Sequence, residues 1–154
     1  MSAPVPPAGA PALPVTFRPT RTRVVLLSVG VVMFVVITVV AFTLEQLSNG
    51  ERASFVFTAL VFLGVLALLS RPKVVADDSG VTVVNLTRTR RLSWAEIVRV
   101  NLRVGDPWVF LDLSDGTSMP ALGIQPGIAK EQAIRDARAL RALAENHGTG
   151  TDNG

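Results

Sequence analysis

The sequence predicts a membrane α-helical hairpin of two transmembrane helices followed by a small α+β domain. Three observations carry that expectation. Two long runs in the first half hold no charged residue, the pattern from Lys73 onward turns to short β-prone segments, and a stretch of helical periodicity follows the last of them.

Charge is scarce and unevenly placed. Only 18% of the 154 residues are charged and 49% are hydrophobic, whereas a soluble domain carries about 25% charged residues. No charge lies between Arg23 and Glu45 or between Arg52 and Arg71. Of the net charge of +3, three arginines come from residues 1–23, which contain no acid; from Arg71 onward eleven basic residues face ten acidic ones. The positive excess therefore belongs to the membrane flank, and no basic stripe marks the chain as a nucleic-acid binder.

Residues 1–17 are rich in Pro and Ala, with five prolines in the first fourteen positions. Such a segment disfavours helix, and disorder is expected. Pro11 to Pro14 also fits a PxxP pattern. Val24 to Leu44 is an uncharged run of 21 residues, about 31 Å as a helix and matched to a hydrocarbon core of about 30 Å. A cleaved signal peptide would have a shorter apolar stretch ending in small residues; this run ends in Phe42-Thr43-Leu44-Glu45. After the loop 45–52, with its Asn49-Gly50 turn dipeptide, Ala53 to Ser70 forms a second uncharged run of 18 residues.

Neither run keeps the polar face of a soluble helix. Neither holds an ionisable residue, the usual mark of a transport path. Ser28, Gly30, Thr38, Thr58 and Gly64 are the small or weakly polar candidates for a helix–helix contact. Arg18, Arg21 and Arg23 precede the first run, Arg71 and Lys73 follow the second, and the loop carries Glu45, Glu51 and Arg52. The positive-inside rule then expects a multi-pass protein of the plasma membrane with both termini cytoplasmic.

In the second half, Lys73 to Ala76, Val81 to Leu86 and Thr89 to Ser93 read as short strands, the first two separated by the turn cluster Asp77-Asp78-Ser79-Gly80. Ile97 to Val104 shows period-2 alternation, with Val98, Val100, Leu102 and Val104 on one face. Gly105-Asp106-Pro107 breaks it, Trp108 to Leu113 follows, Ser114-Asp115-Gly116 turns the chain, and Thr117 to Leu122 returns. Ala133, Ala137, Leu140 and Ala144 then recur at helical spacing, with Lys130, Arg135, Arg138 and Arg141 mostly opposite. The expected organisation is a disordered N-terminus with its basic flank over 1–23, the hairpin over 24–70 (helices 24–44 and 53–70), the domain over 71–146 and a flexible tail over 147–154.

Arg71-Pro72, Gly80-Val81-Thr82-Val83, the segment Arg90-Arg91-Leu92-Ser93-Trp94-Ala95-Glu96-Ile97 and the Asp115-Gly116 turn resemble a family of small actinobacterial membrane proteins with a pleckstrin-homology-like domain, the low molecular weight protein antigen 6 family. The resemblance covers roughly residues 20–146 and is most specific at Arg90 to Ile97, so Trp94, Glu96 and Ile97 are its signature. It implies a small bent antiparallel sheet, or a partly open barrel, capped by a C-terminal helix. The usual form has seven strands; six are read here, so one is missing or hidden. What the family implies is a bacterial interaction module tethered to the membrane, with no known enzymatic chemistry.

Arg88, Arg90 and Arg91 form the densest basic cluster. It reads either as a lipid or partner contact or as a solvated turn; anionic lipid attracts a nearby basic residue with about 1 kcal/mol. Trp94 reads as a ligand contact or as a packing anchor between strands. Asp77 and Asp78, before Ser79-Gly80, read as turn residues rather than an acid/base pair. The sequon at Asn85 lies in an expected strand on the expected cytoplasmic side and is discounted. With no cysteine and one histidine, His147, neither a thiolate metal site nor a catalytic triad is expected, and no catalytic residue, metal or cofactor is assigned. The expected partners are the bilayer, a protein, or a second copy of the chain. Two functions are weighed: a non-enzymatic adaptor at the cytoplasmic face, and an accessory subunit of a membrane enzyme or transporter acting through its hairpin.

Overall fold

The computed structural model of the chain describes residues 9–148. The chain divides into two units, one running from Thr20 to Arg71 and one assembled from the residues before Thr20 together with Pro72 onward. The first is a helical hairpin, α1 (Thr20–Thr43) and α2 (Asn49–Leu69), both long and apolar enough to cross a membrane. Asn49-Gly50 is not the turn that the sequence suggests but lies in the first turn of α2. Ser48 is the N-cap: its N–H and hydroxyl donate to the Glu51 carboxylate at 2.8 and 2.7 Å, and its oxygen accepts the Glu51 N–H.

Small residues bring the two helices together, but not all of the expected ones. The buried positions are Gly30, Ala41 and Ala59. A Cβ on Gly30 would lie 2.9 Å from Leu63 Cδ1, whereas one on Gly64 would meet nothing within 4 Å. Gly30 is a contact residue; Gly64 faces away from the partner helix.

Among the described residues, the second unit has seven strands in two antiparallel sheets. One sheet has the order β1 (Val15–Phe17), β2 (Lys73–Asp77), β3 (Gly80–Val84), β4 (Thr89–Ser93); the other is β5 (Ile97–Asn101), β6 (Val109–Leu113), β7 (Ser118–Ala121). The hidden strand is β1, which lies where the sequence suggests disorder: Val15 pairs with Ala76 and Phe17 with Val74, and the Phe17 ring is in the core. Three residues amid prolines give no periodic signal, and β1 exists only because β2 offers it an edge. Residues 1–8 of the expected disordered segment lie outside the described residues; Ala10 and Leu13 pack against the core.

Alternation misreads β5. A bulge between Ile97 and Arg99 shifts the register, so Ile97 and Val100 are buried while Val98 is 67% exposed. The strand ends at Asn101, leaving Val104 in the following loop, 99% exposed. Helix α3 (Lys130–Gly148) packs Ala133, Ala137, Leu140, Leu143 and Ala144 into the core that Val74, Val81, Leu92, Val100 and Leu111 supply from the two sheets. It includes His147, so the structure moves that residue out of the expected tail, whose positions 149–154 lie outside the described residues.

β1 leaves its sheet at Phe17 and β2 enters at Lys73, so both connections to the hairpin depart from one end of one sheet. Several loops gather at that end. Asn85 ties the β3–β4 connection to β7, its Nδ2 donating to the Pro120 carbonyl at 2.9 Å and its Oδ1 accepting the Leu122 N–H at 3.1 Å. Gly123 lies against the Lys73 backbone so closely that a Cβ would sit 2.6 Å from it. Gln132 of α3 donates to the Arg18 carbonyl at 2.8 Å. The opposite end collects the β2–β3 turn, the 3-10 turn Trp94–Glu96 and the β6–β7 turn, where the Ser114 N–H donates to the Glu96 carbonyl at 2.9 Å.

Candidate functional site

The basic cluster of β4 is not one surface. Arg91, opposite Thr82 in the ladder, donates to both carboxylate oxygens of Asp77 at 3.0 Å, to the Thr82 hydroxyl at 3.2 Å and to the Ser79 hydroxyl. The Ser79 hydroxyl and N–H, with the Arg91 charge behind them, hold the Asp77 carboxyl down at about 2. Arg90 is on the other side of the strand; hydrogen bonds from Ser93 lower the Glu96 carboxyl and those from the Thr117 hydroxyl and N–H lower that of Asp115, with the Arg90 charge adding a smaller part to each. Arg88 stands apart in the β3–β4 connection, at the hairpin end. Of the three, Arg91 is committed to a turn inside the fold and Arg88 is at the end from which the hairpin departs.

Trp94, Glu96 and Ile97 form the corner between the two sheets. The Trp94 indole is 6% exposed, donates its N–H to the Asp77 carbonyl at 3.0 Å and stacks on His147 with centroids 4.5 Å apart. Glu96 closes a capping box on Ser93, whose N–H and hydroxyl lower its carboxyl. Ile97 is buried in the core. Here, too, Asp77 accepts the N–H groups of Ser79 and Gly80 and so shapes the β2–β3 turn.

Two open grooves flank α3. One, about 530 Å³, runs between the edge strand β5 and the C-terminal half of the helix; Arg141 crosses it to donate from Nε and Nη2 to the Val100 carbonyl at 3.2 and 2.8 Å. The other, about 470 Å³, lies between the β5–β6 loop and the N-terminal half of α3. Arg103, Lys130, Arg138 and Arg141 bring four cations to it against one carboxylate, Asp106, which accepts the Arg103 N–H at 2.9 Å. Val104 lines it and is 99% exposed; Ile128, 60% exposed, sits in the chain between the lining residues Pro126 and Lys130.

Sequence reasoning misses this second groove. Arg138 and Arg141 read only as the solvated side of a helix, and Arg103 only as the polar phase of a strand. The available signal is a sequence of exposed apolar residues beside bases, Arg103-Val104 and Ile128-Ala129-Lys130. Among the described residues, no group of three or more His, Cys, Asp or Glu side chains is placed to hold a metal ion.

Residues 71–143 match the family model described as the bacterial PH domain. Over 84 residues the chain is 31% identical to an uncharacterized protein of Mycobacterium bovis and to uncharacterized proteins of two Mycobacterium tuberculosis strains, covering 54% of this chain and 54% of each relative. The chain thus spans about half the length of the curated relatives it matches. No solved structure matches it. These similarities bear on the domain and give the coarser form of the resemblance carried by Arg90 to Ile97.

Proposed function

We propose that the chain is a non-enzymatic interaction module of the PH type, anchored by its hairpin at the cytoplasmic face of the plasma membrane, where it binds a protein partner or lipid headgroups. One observation carries the reading: β1 and β2, the strands on either side of the hairpin, are hydrogen-bonded neighbours from Val15↔Ala76 to Phe17↔Val74. Two strands of one sheet must lie on the same side of a bilayer, so the intervening segment crosses an even number of times. Only Arg18 and Pro19 on one side, and Ser70 to Pro72 on the other, separate strand from helix. The arginines of both flanks favour the cytoplasmic side.

Thiol accessibility tests the placement. The chain has no cysteine, so Gln46→Cys in the hairpin loop and Thr117→Cys in the β6–β7 turn can each serve as the sole label site in intact cells. An impermeant maleimide is expected to reach Gln46→Cys alone; reaction of Thr117→Cys instead would overturn the cytoplasmic reading. Crosslinking in cells is expected to trap a defined partner on the domain.

The second reading, an accessory subunit working through its hairpin, draws on Gly64, a small residue with open space around it on the outer side of α2. A Gly64→Leu chain that keeps its fold but loses a co-purifying membrane protein would favour it.

A further inference from the structure

We infer that the groove between the β5–β6 loop and α3 is a docking site for the headgroups of anionic phospholipids, with Val104 and Ile128 as apolar tips that enter the interfacial layer. The inference deepens the reading of a membrane-held module and rests on it. Charge complementarity comes first: four cations, Arg103, Lys130, Arg138 and Arg141, meet one carboxylate along the groove, and that carboxylate is occupied by the N–H of its own loop. Arg103 and Arg138 line the groove and carry guanidinium forks suited to phosphate oxygens, while Arg141, whose Nε and Nη2 are spent on the Val100 carbonyl, adds its charge.

Exposure is the second argument. Among the described residues, Val104 at 99% and Ile128 at 60% are, with Val98, the large apolar side chains that the domain leaves exposed. Val104 lines the basic groove, and Ile128 lies between its lining residues Pro126 and Lys130. Apolar tips ringed by bases suit the boundary between headgroups and acyl chains, where apolar burial and attraction to anionic lipid add.

Connectivity supplies the third. The loop 122–129, which carries Ile128, abuts Lys73, and the first turns of α3 bond to Arg18. Arg18 and Lys73 each stand two residues in sequence from the hairpin unit, so on the proposed anchoring a bilayer surface is an anion-rich partner that the tether itself keeps at hand. The distal end instead collects four carboxylates, Asp77, Asp78, Glu96 and Asp115, against two cations, Arg90 and Arg91, so its balance is acidic where that of the groove is basic.

The test uses the full chain with Val104→Cys, labelled with an environment-sensitive dye and reconstituted in nanodiscs of phosphatidylcholine alone or with phosphatidylglycerol. The dye is expected to brighten and shift to the blue only with phosphatidylglycerol, and to lose the response as salt rises. Each of Arg103→Gln, Lys130→Gln and Arg138→Gln is expected to lower the docking equilibrium about fivefold, and the triple variant to respond as in phosphatidylcholine alone. Arg90→Gln/Arg99→Gln/Arg135→Gln, which removes as many charges outside the groove, is expected to leave the response intact. The inference is overturned by a dye blind to phosphatidylglycerol, by an equal loss in the second triple variant, or by inorganic phosphate evoking the response in phosphatidylcholine discs. Because nanodiscs present both faces alike, this outcome is independent of the thiol topology experiment: either can fail without the other.

Discussion

The Trp94 indole lies on the His147 imidazole, centroids 4.5 Å apart and planes inclined by 17°. The residue that opens the corner between the sheets is thereby covered by the last turn of the last helix. His147 is itself fixed, its Nδ1 lying 2.8 Å from the Leu143 carbonyl oxygen. An aromatic stack contributes about 0.5–1.5 kcal/mol beyond the area it buries. His147→Ala is expected to destabilise the domain by that amount and to shift Trp94 fluorescence to the red, read in denaturant unfolding of the detergent-solubilised chain. An unchanged midpoint and spectrum would show that the stack is incidental.

Strong acid should loosen the β2–β3 turn through Asp77. Its carboxyl is held at about 2 by the Ser79 hydroxyl, the Ser79 N–H and Arg91, below the ordinary value of about 3.9. The folded-state value is depressed, so the stabilisation is fully present above the ordinary value and is lost as pH falls through about 2. Ser79→Ala is expected to raise the Asp77 value toward the ordinary one, followed by carboxyl NMR titration, and to move the start of acid loosening of the β2–β3 turn to higher pH.

Gly80 has no room for a side chain. A Cβ there would lie 2.0 Å from the Leu92 carbonyl oxygen, a backbone atom that cannot swing away. Gly80→Ala should therefore break the β3–β4 pairing and cost more than about 4 kcal/mol, among the largest single-residue effects. Gly116→Ala, with nothing within 4 Å but a φ of 82°, is expected to cost about 1 kcal/mol. Thermal unfolding of the two variants measures the difference.

Phe17 tests the strand that precedes the hairpin. Its ring is 5% exposed within the core, and truncating a buried Phe costs about 3–5 kcal/mol. Phe17→Ala is expected to free residues 10–17 for proteolysis and to loosen β2, detected by hydrogen exchange at Val74 and Ala76. Protection at wild-type levels would mean that β1 contributes nothing to the sheet.

The hairpin predicts an asymmetry between its two mid-span glycines. Gly30→Leu must displace Leu63 and Leu66 and is expected to open the helix pair, whereas Gly64→Leu is expected to leave it closed. Spin labels at the exposed Phe42→Cys and Phe57→Cys, one on each helix, read the opening as a lengthened distance in each background.

Much of this architecture is written locally, and the parts that are not share a cause. The spans are legible because lipid lets composition alone dictate helix, and the Trp94–Ile97 corner because capping and a buried indole need particular residues at fixed spacing. Phe17 is illegible because its strand takes its order from β2, far along the chain. The face of Val98 is misread because a bulge, which alternation cannot anticipate, changes the phase of β5. The basic groove escapes because Arg103 and Arg138 come from a loop and a helix that meet only in the folded domain, while the adjacent arginines at 88, 90 and 91 look like a site and are dispersed by the pleat.

The pairing of β1 with β2 also sets an order of events during synthesis. β1 is made before its partner and stays unpaired until both helices and then β2 have been synthesised. If the first helix entered the bilayer and the second failed to, the two strands would finish on opposite faces and the sheet could not close. Phe17 would then never reach the core, and the domain would remain open to quality-control proteases. On the proposed anchoring, completion of the sheet thus doubles as proofreading of membrane insertion: only a chain whose hairpin has crossed and returned can finish folding.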